Sequence, residues 1–275
     1  MERIAIISGA GGLPPLLAAH LKAEERPYSV VRFGGMALEW ISDHPLIEAE
    51  FTGFGALFEA LSSSGVTRVC FAGGMKRPTI DPTLIDAKTA EIAPRLIASM
   101  NKGDDATLRE VAKIFEEEGL IVEAAHEVMP ALLARDGAQG AFSPSPDDLG
   151  DIDRARQIVN ALGAVDVGQG AVVAQGICLG LESIQGTDAM LSFVAETGGA
   201  FRRDPKGAKG VLWKAAKPGQ DLRMDMPALG PDSIAAAKAA GLAGIAYAAG
   251  KVMILDRSAT IAAADEAQMF LFGQV

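Results

Sequence analysis

The segment Lys217–Gly230, KPGQDLRMDMPALG, has acidic and basic residues at a spacing that could support chemistry on a phosphorylated ligand. Charged and apolar residues alternate at Asp221, Leu222, Arg223, Met224, Asp225 and Met226. This period of two predicts a half-buried β-strand with its charged residues on one face. A carboxylate can hold Mg²⁺ or orient water, and an arginine can neutralise phosphate oxygens. The pattern therefore suffices for pyrophosphate hydrolysis, although a solvated strand face also explains it.

A basic stretch, Ala200–Pro218, lies in an otherwise acidic chain. The net charge is −10 and the pI is near 4.9, which argues against nucleic-acid binding and against membrane adhesion by bulk charge. The basic residues of the stretch are Arg202, Arg203, Lys206, Lys209, Lys214 and Lys217. Against them stands one acid, Asp204, so the stretch carries +5 and the remainder −15. The stretch predicts a site for a phosphate-bearing ligand, and a solvated loop is an equally good alternative.

The glycines of SGAGGLP resemble the start of a dinucleotide-binding motif without completing it. The G-x-G-x-x-G pattern would need a glycine where Pro14 stands, and Arg32 takes the place of the expected acid. Nicotinamide binding is therefore disfavoured. Gly11 and Gly12 could still bind phosphate ahead of a helix N-terminus, with a plain tight turn as the alternative.

A second glycine-rich segment, DVGQGAVVAQG, precedes a predicted strand. Its Gly168, Gln169 and Gly170 offer backbone N–H groups and a carboxamide that could bind phosphate or sugar hydroxyls. A β-hairpin turn is the alternative.

Two segments place acceptor side chains at the start of a predicted helix. KGDDATLRE places Asp104 or Asp105 at the N-cap, and QGTDAML places Thr187 or Asp188 there. Capping alone explains either segment. A ligand role stays open because both lie beside glycine.

The composition is that of a globular protein of one large domain or two ordinary ones. The 275 residues are 49% hydrophobic and 22% charged. Cys70 and Cys178 lie in apolar runs, which is typical of core residues in a reducing compartment. With no leader pattern and no apolar run of about 18–20 residues, we expect a cytoplasmic protein.

The periodicity predicts two α/β domains. Short apolar runs alternate with helical segments in the first half, which indicates a parallel sheet. Residues 135–150 are rich in Gly, Ser, Pro and Asp, which is typical of a linker or long loop. We therefore expect an N-terminal Rossmann-like parallel-sheet domain over residues 1–134, a linker over 135–150 and a distinct C-terminal α/β domain over 151–275.

Nine segments in order resemble one family, the UDP-2,3-diacylglucosamine pyrophosphatases of the non-calcineurin type, or LpxI family. They are GGLP, FAGGMKRP, NKGDDATLR, AAHEVM, DIDRA, DVGQGAVVAQG, GTDAML, KPGQDLRMDMPALG and GLAGI. Each is weak alone, whereas the ordered set is specific and covers nearly the whole chain. One departure is SGAGGLP, where the family more often has three consecutive glycines.

The resemblance implies a cytoplasmic enzyme of lipid A biosynthesis in a Gram-negative bacterium. It would hydrolyse UDP-2,3-diacylglucosamine to UMP and 2,3-diacylglucosamine 1-phosphate (lipid X), using Mg²⁺ or a similar divalent cation. Water would attack the phosphorus on the sugar side. The family holds its lipid between the two domains, and its essential aspartate falls on Asp225.

The resemblance also implies roles for individual residues. Asp225 would bind the metal or activate water as the catalytic residue, and Arg223 and Lys217 would neutralise the pyrophosphate. The remaining substrate-binding candidates are Gln169, Gly170, Thr187 and Asp188 for the phosphosugar, and Gly11 and Gly12 for the uridine side.

Functions of two other classes remain as alternatives. One is a non-catalytic protein that binds a nucleotide sugar or an acyl lipid. The other is an oxidoreductase using the N-terminal sheet, against which the incomplete glycine motif counts. The sequence leaves open a transient contact with the inner membrane surface and a homo-oligomeric state.

Overall fold

A computed structural model describes residues 2–75 and 79–275 of the chain. Lys76, Arg77 and Pro78, which end the segment FAGGMKRP, lie outside the described residues. Backbone contacts divide the chain into two compact units. The N-terminal unit comprises the residues up to Ala131 together with Asp221–Asp225, and the C-terminal unit comprises Leu132–Gln220 and Met226–Val275.

The N-terminal unit contains a five-stranded sheet in which every strand pair is parallel. The strands are β1 (Arg3–Ser8), β2 (Tyr28–Phe33), β3 (Leu46–Ala49), β4 (Val66–Ala72) and β5 (Ile121–Val122), in the order β3-β2-β1-β4-β5. The helices are α1 (Leu13–Ala23), α2 (Phe54–Ser63), α3 (Ala87–Met100), α4 (Asp104–Glu117) and α5 (Ala125–Val128). Short 3₁₀ turns cover Glu39–Asp43 and Pro82–Leu84. The predicted parallel α/β arrangement is confirmed.

Apolar side chains from both strands and helices fill the core of this unit. The rings of Phe58 and Phe71 each make an edge-to-face contact with Phe115, with centroids 5.1 Å apart. Met224 belongs to the same buried cluster although it lies more than a hundred residues further along the chain. The side chain of Met224 therefore fixes the Asp221–Asp225 segment to this core.

The C-terminal unit contains a six-stranded mixed sheet of order β6-β13-β11-β9-β7-β8. Its strands are β6 (Gly137–Ala138), β7 (Gly170–Ala174), β8 (Ile177–Leu181), β9 (Val211–Lys214), β11 (Gly244–Ala248) and β13 (Phe270–Gln274). A two-stranded sheet pairs β10 (Ala228–Leu229) with β12 (Met253–Ile254). The helices are α6 (Pro146–Ala164), α7 (Gly186–Thr197), α8 (Pro231–Ala239) and α9 (Arg257–Glu266). A 3₁₀ turn covers Gly198–Phe201, and another, Pro130–Leu132, spans the boundary between the two units in the chain.

The strand directions bring the ends of several strands to one edge of this sheet. Strands β9, β11 and β13 are parallel, so their carboxyl ends share an edge. Strand β7 runs antiparallel to β9, with Gly170 opposite Lys214, and β8 ends beside the start of β7. Ligands in α/β proteins commonly bind at the carboxyl ends of parallel strands.

Some local predictions differ from the structure. Between residues 135 and 150, β6 pairs antiparallel with β13 and α6 begins at Pro146. The apolar pattern of LIVEAAHEVM also favours a strand, but the strand ends at Val122 and the chain then forms the short helix α5. No described helix is both long and apolar enough to cross a membrane.

Candidate functional site

A polar pocket of about 300 Å³ opens at the sheet edge where β9 ends. We call it the C-terminal pocket, and all its lining residues belong to the C-terminal unit. Its polar lining residues are Gln185, Thr187, Asp188, Lys214, Asp232 and Ser233. Two of the residues expected to hold the phosphosugar, Thr187 and Asp188, therefore line one cavity.

Lys214 is a buried cation in this pocket. It ends β9 and is only 5% exposed. Its Nζ donates a hydrogen bond to Thr187 Oγ1 and lies 3.7 Å from Glu182 Oε2. A charged lysine is seldom buried without a partner, because removing it from water is costly. The carboxylate of Glu182 supplies the opposite charge.

Glycines next to Glu182 explain the GQG sequence. A Cβ atom on Gly170 would overlap the Glu182 carboxylate, and one on Gly168 would overlap its backbone carbonyl. Between them, the Gln169 carbonyl accepts a hydrogen bond from the Ala215 N–H at 3.0 Å. The glycines therefore leave room for the buried Glu182, and the segment sits against the same edge as Lys214.

The first turns of α7 and α8 border the pocket. Helix α7 begins at Gly186 after the N-cap Gln185, so the prediction of Thr187 or Asp188 as N-cap is wrong. Both side chains lie in the first turn instead. In α8, the Gly230 N–H donates to Ser233 Oγ at 3.2 Å. The unpaired N–H groups of a helix N-terminus favour a negative charge nearby.

The N-cap prediction for α4 is also wrong. Gly103, with a φ of 113°, occupies the N-cap position, so Asp104 and Asp105 lie in the first turn. Asp105 forms an ion pair of 2.6 Å with Arg109 and accepts a long hydrogen bond of 3.4 Å from the Asp221 N–H. In the structure, Asp105 therefore contributes to positioning the Asp221–Asp225 segment.

The Asp221–Asp225 segment is a turn, so the prediction of a strand is wrong. The N–H groups of Met224 and Asp225 both donate to the Asp221 carbonyl, at 3.0 and 3.1 Å. The Asp221 carboxylate accepts hydrogen bonds from the Arg223 N–H, Nε and Nη2 at 3.0, 3.0 and 2.7 Å. These local bonds close the turn, while Met224 and Met226 are still buried.

Ion pairs of Arg223 set the electrostatics of this turn. Its Nη1 lies 2.8 Å from Glu116 Oε1, on α4. Hydrogen bonding to Arg223 is the largest cause that lowers the pKa of Asp221 from its ordinary 3.8. The same two carboxylates raise the pKa of Arg223. The guanidinium expected to meet pyrophosphate is thus paired with two protein carboxylates.

Asp225 ends the turn as a half-buried carboxylate. Among the described residues, no group of three or more His, Cys, Asp and Glu side chains is arranged to hold a metal ion. Mg²⁺ needs only one or two protein carboxylates when substrate phosphates and water complete its shell. Asp225 could therefore serve as one protein ligand of a Mg²⁺ ion that binds together with a pyrophosphate, but no second ligand is shown beside it among the described residues.

Lys217 lies outside the lining of the C-terminal pocket. Its Nζ is paired with Asp166 Oδ1, and its backbone N–H donates to Gln220 Oε1 at 2.8 Å. In the structure, the charge of Lys217 is therefore met by Asp166.

The N-terminal glycine turn is built for close backbone packing. A Cβ atom on Gly9 would lie 2.5 Å from the Gly73 carbonyl oxygen. Gly11 has a φ of 102°, which favours glycine, and Gly12 is the N-cap of α1 with open space beside its Cα. Arg32 is paired with Glu48 on the neighbouring strand. Gly11 and Gly12 remain accessible to a ligand.

Glu182 is a site residue that sequence reasoning missed. Lys214 was named only as one of six basic residues in the stretch Ala200–Pro218, for which a phosphate site and a solvated loop were both open, although it ends the apolar run VLW. A lysine at the end of a buried strand, followed by two alanines, is a signal that could have separated it from its neighbours.

Fold and pocket together define a class: a two-unit α/β protein with a buried lysine at the carboxyl end of a parallel strand. Two family models match the chain, the LpxI N-terminal domain over residues 3–132 and the LpxI C-terminal domain over residues 135–272. The chain belongs to the LpxI family, as the ordered segments predicted.

One curated relative matches along its whole length. It is the "UDP-2,3-diacylglucosamine pyrophosphatase LpxI" of Caulobacter vibrioides, 41% identical over 273 residues, covering 99% of this chain and 98% of the relative. Solved structures of Bordetella bronchiseptica WbmG, one with NAD and UDP and one with NAD, are 25% and 22% identical. Each match covers 43% of this chain and 34% of WbmG with a TM-score of 0.26, too low to support an argument.

Proposed function

We propose that this protein hydrolyses the pyrophosphate of UDP-2,3-diacylglucosamine, giving UMP and 2,3-diacylglucosamine 1-phosphate. The observation that carries the proposal is the 41% identity over 99% of the chain to the relative of that name. The polar pocket with its buried cation is consistent with a phosphorylated ligand. In the cell, the reaction would belong to lipid A biosynthesis.

The reaction replaces one bond by another without an electron carrier. A water oxygen bonds to one phosphorus, the bond from that phosphorus to the bridging oxygen breaks, and the water's protons pass to base or solvent. Following the family resemblance, we assign the attack to the phosphorus on the sugar side. The bridging oxygen then leaves with UMP.

Asp225 is the residue to which we assign the catalytic role. As a carboxylate it can accept a proton from the attacking water or hold a divalent cation. A bound Mg²⁺ would supply neutralisation of the pyrophosphate charge. The neighbouring Met224 is buried in the core of the N-terminal unit, which limits how far the backbone at Asp225 can move.

Arg223 and Lys217 are proposed to neutralise the pyrophosphate oxygens. Both are held by carboxylates, Arg223 by Asp221 and Glu116 and Lys217 by Asp166. Each would therefore have to share or exchange its partner when the substrate binds.

The remaining contacts with the substrate are proposed for each unit separately. In the C-terminal unit, Thr187, Asp188, Gln169 and Gly170 would hold the phosphosugar at the sheet edge. In the N-terminal unit, the accessible turn at Gly11–Gly12 would bind the uridine side. We also propose a cytoplasmic location with transient contact at the inner membrane surface, because the substrate is a diacyl lipid.

Product analysis in ¹⁸O-labelled water tests the proposal. The protein is incubated with UDP-2,3-diacylglucosamine, with Mg²⁺ or with a chelator, and the products are identified by mass spectrometry. We expect UMP and the lipid 1-phosphate only with metal, and the label in the lipid phosphate. UDP-N-acetylglucosamine, which lacks the two long acyl chains, is the matched control and should be cleaved far more slowly.

The possible outcomes separate the alternatives. Binding without cleavage under any divalent cation would contradict the hydrolase and favour a non-catalytic lipid or nucleotide-sugar binder. Label in UMP would leave the hydrolase standing and contradict attack on the sugar side. Cleavage in the presence of a chelator would contradict the metal requirement.

A further inference from the structure

We propose that Lys214 is the phosphate-binding residue of the C-terminal pocket and that Glu182 is its counter-charge. The ligand class is a phosphate monoester or the corresponding phosphate of a nucleotide sugar. The inference rests on the proposed function for the identity of the natural ligand, and it deepens it by naming the cation that binds the phosphate.

The hydrogen bonds of Lys214 leave capacity for a ligand. An ammonium has three N–H donors. One donates to Thr187 Oγ1, and Glu182 Oε2, at 3.7 Å, lies beyond hydrogen-bonding distance. Lys214 lines the pocket, so a phosphate oxygen there can accept from a donor that Thr187 does not use.

Glu182 supports the inference from beside the pocket, whose lining does not include it. The residue is 5% exposed, and its Oε2 has no hydrogen-bond partner within the described part of the chain. An unsatisfied buried carboxylate oxygen costs free energy and is rare where only stability is at stake. Here the oxygen faces Lys214, which keeps a positive charge stable in the pocket until an anion binds.

The other groups around Lys214 are compatible with an anion. The carboxylates that line the pocket, Asp188 on α7 and Asp232 on α8, are both exposed, so solvent screens them. The first turns of the same two helices present N–H groups, and Ser233 adds a hydroxyl. A buried cation and two helix N-termini at one cavity are the elements of a phosphate site.

Direct binding of inorganic phosphate tests the inference without catalysis. Isothermal titration near neutral pH is carried out on the wild-type protein and on Lys214→Met, with Lys209→Met as the matched control. Lys209 is exposed and precedes the same strand. Loss of a charge-assisted hydrogen bond should weaken binding by at least about tenfold in Lys214→Met. Lys209→Met should stay within about twofold of wild type.

Glu182→Gln is a second test, in which phosphate binding is expected to strengthen instead of weaken. It keeps the side-chain shape and removes the negative charge beside the phosphate, so we expect tighter phosphate binding and a lower unfolding temperature. Purely structural damage would instead weaken binding in both variants. Weaker phosphate binding by Glu182→Gln would contradict its assignment as a counter-charge.

Two measurements keep the inference falsifiable. Should Lys214→Met fail to fold, Thr187→Val, which removes the hydrogen bond that orients Nζ, must weaken phosphate binding instead. The inference is overturned if wild-type protein binds no phosphate, or if a folded Lys214→Met binds it as wild type does. Turnover of UDP-2,3-diacylglucosamine by the wild type is measured separately. Absence of turnover would contradict the proposed hydrolase function, whereas the phosphate titration would still test the role of Lys214.

Discussion

Arg223 lies between two carboxylates, with Nη2 2.7 Å from Asp221 Oδ2 and Nη1 2.8 Å from Glu116 Oε1. Asp221 belongs to the same turn, whereas Glu116 lies on α4 of the N-terminal unit. Arg223 thus joins a turn to a helix far away in sequence. Because Asp225 ends this turn, the pairing also fixes the backbone that carries the proposed catalytic carboxylate.

This pairing predicts a pH-dependent contribution to stability. Arg223 lowers the pKa of Asp221 below its ordinary 3.8, so the folded state favours the ionised carboxylate. That contribution is present above 3.8 and is lost as the pH falls through the lowered pKa of the folded state. The difference in free energy of unfolding between wild type and Arg223→Met should therefore be constant at neutral pH and shrink below 3.8.

Urea denaturation over an acidic pH series measures this difference. Lys113→Met is the control, because Lys113 is exposed and its ion pair with Glu117 on the same helix is long, at 3.9 Å. Its effect should stay small throughout. A loss of unfolding free energy in Arg223→Met that grows as the pH falls would contradict the predicted direction of this pH dependence.

The fold was predictable where local sequence decides it. Strands β1, β2 and β4 are apolar runs between glycine or polar turns, and they form as predicted. Strand β3, Leu46–Ala49, was missed because the side chains of Leu46 and Glu48 are exposed, so the run lacks a buried pattern. Long-range pairing with β2 stabilises it instead.

The candidate site was less predictable because it depends on contacts between distant segments. The alternation from Asp221 to Met226 looks like a strand, yet hydrogen bonds to Asp221 close it into a turn. No local pattern could reveal that this turn packs with the N-terminal core through Met224. Likewise, Lys214 is buried beside Glu182, which follows β8, and Thr187, which lies on α7, and the tertiary structure brings these segments together.

Gly9 should be the least replaceable glycine of the N-terminal turn. In Gly9→Ala the new Cβ would lie 2.5 and 2.6 Å from the carbonyl oxygens of Gly73 and Gly74. Both are backbone atoms, so we expect a loss of about 3 kcal/mol of unfolding free energy. Gly12→Ala, with no atom within 4 Å, should cost under about 1 kcal/mol. Equal losses in urea denaturation would refute the close-packing explanation.

Asp151 should stabilise the hairpin between β7 and β8. Its buried carboxylate accepts hydrogen bonds from the N–H groups of Gln175 and Gly176 at 2.8 and 2.7 Å. Both turn residues have a positive φ, as a two-residue hairpin loop requires. Asp151→Ala leaves these donors without their acceptor and should cost about 2–3 kcal/mol of unfolding free energy.

The neighbouring Asp153 is the matched control for Asp151. It lies on the same helix but is exposed, and it forms an ion pair with Arg156 at 2.9 Å. Asp153→Ala should change the unfolding free energy by less than about 0.5 kcal/mol. If Asp151→Ala and Asp153→Ala lower the unfolding free energy equally in thermal and urea denaturation, the hairpin role of Asp151 is wrong.

The most direct test of the account is UMP release from UDP-2,3-diacylglucosamine by wild type and Asp225→Asn, with substrate binding measured on both. Asparagine keeps the shape of the turn but cannot accept the water's proton, so we expect turnover to fall by about 10²–10⁴-fold while binding persists. The exposed Asp204→Asn serves as the control and should leave turnover unchanged. If Asp225→Asn turns over the substrate as fast as the wild type does, the catalytic assignment is contradicted. If the wild type releases no UMP with any divalent cation, the proposed function itself is contradicted.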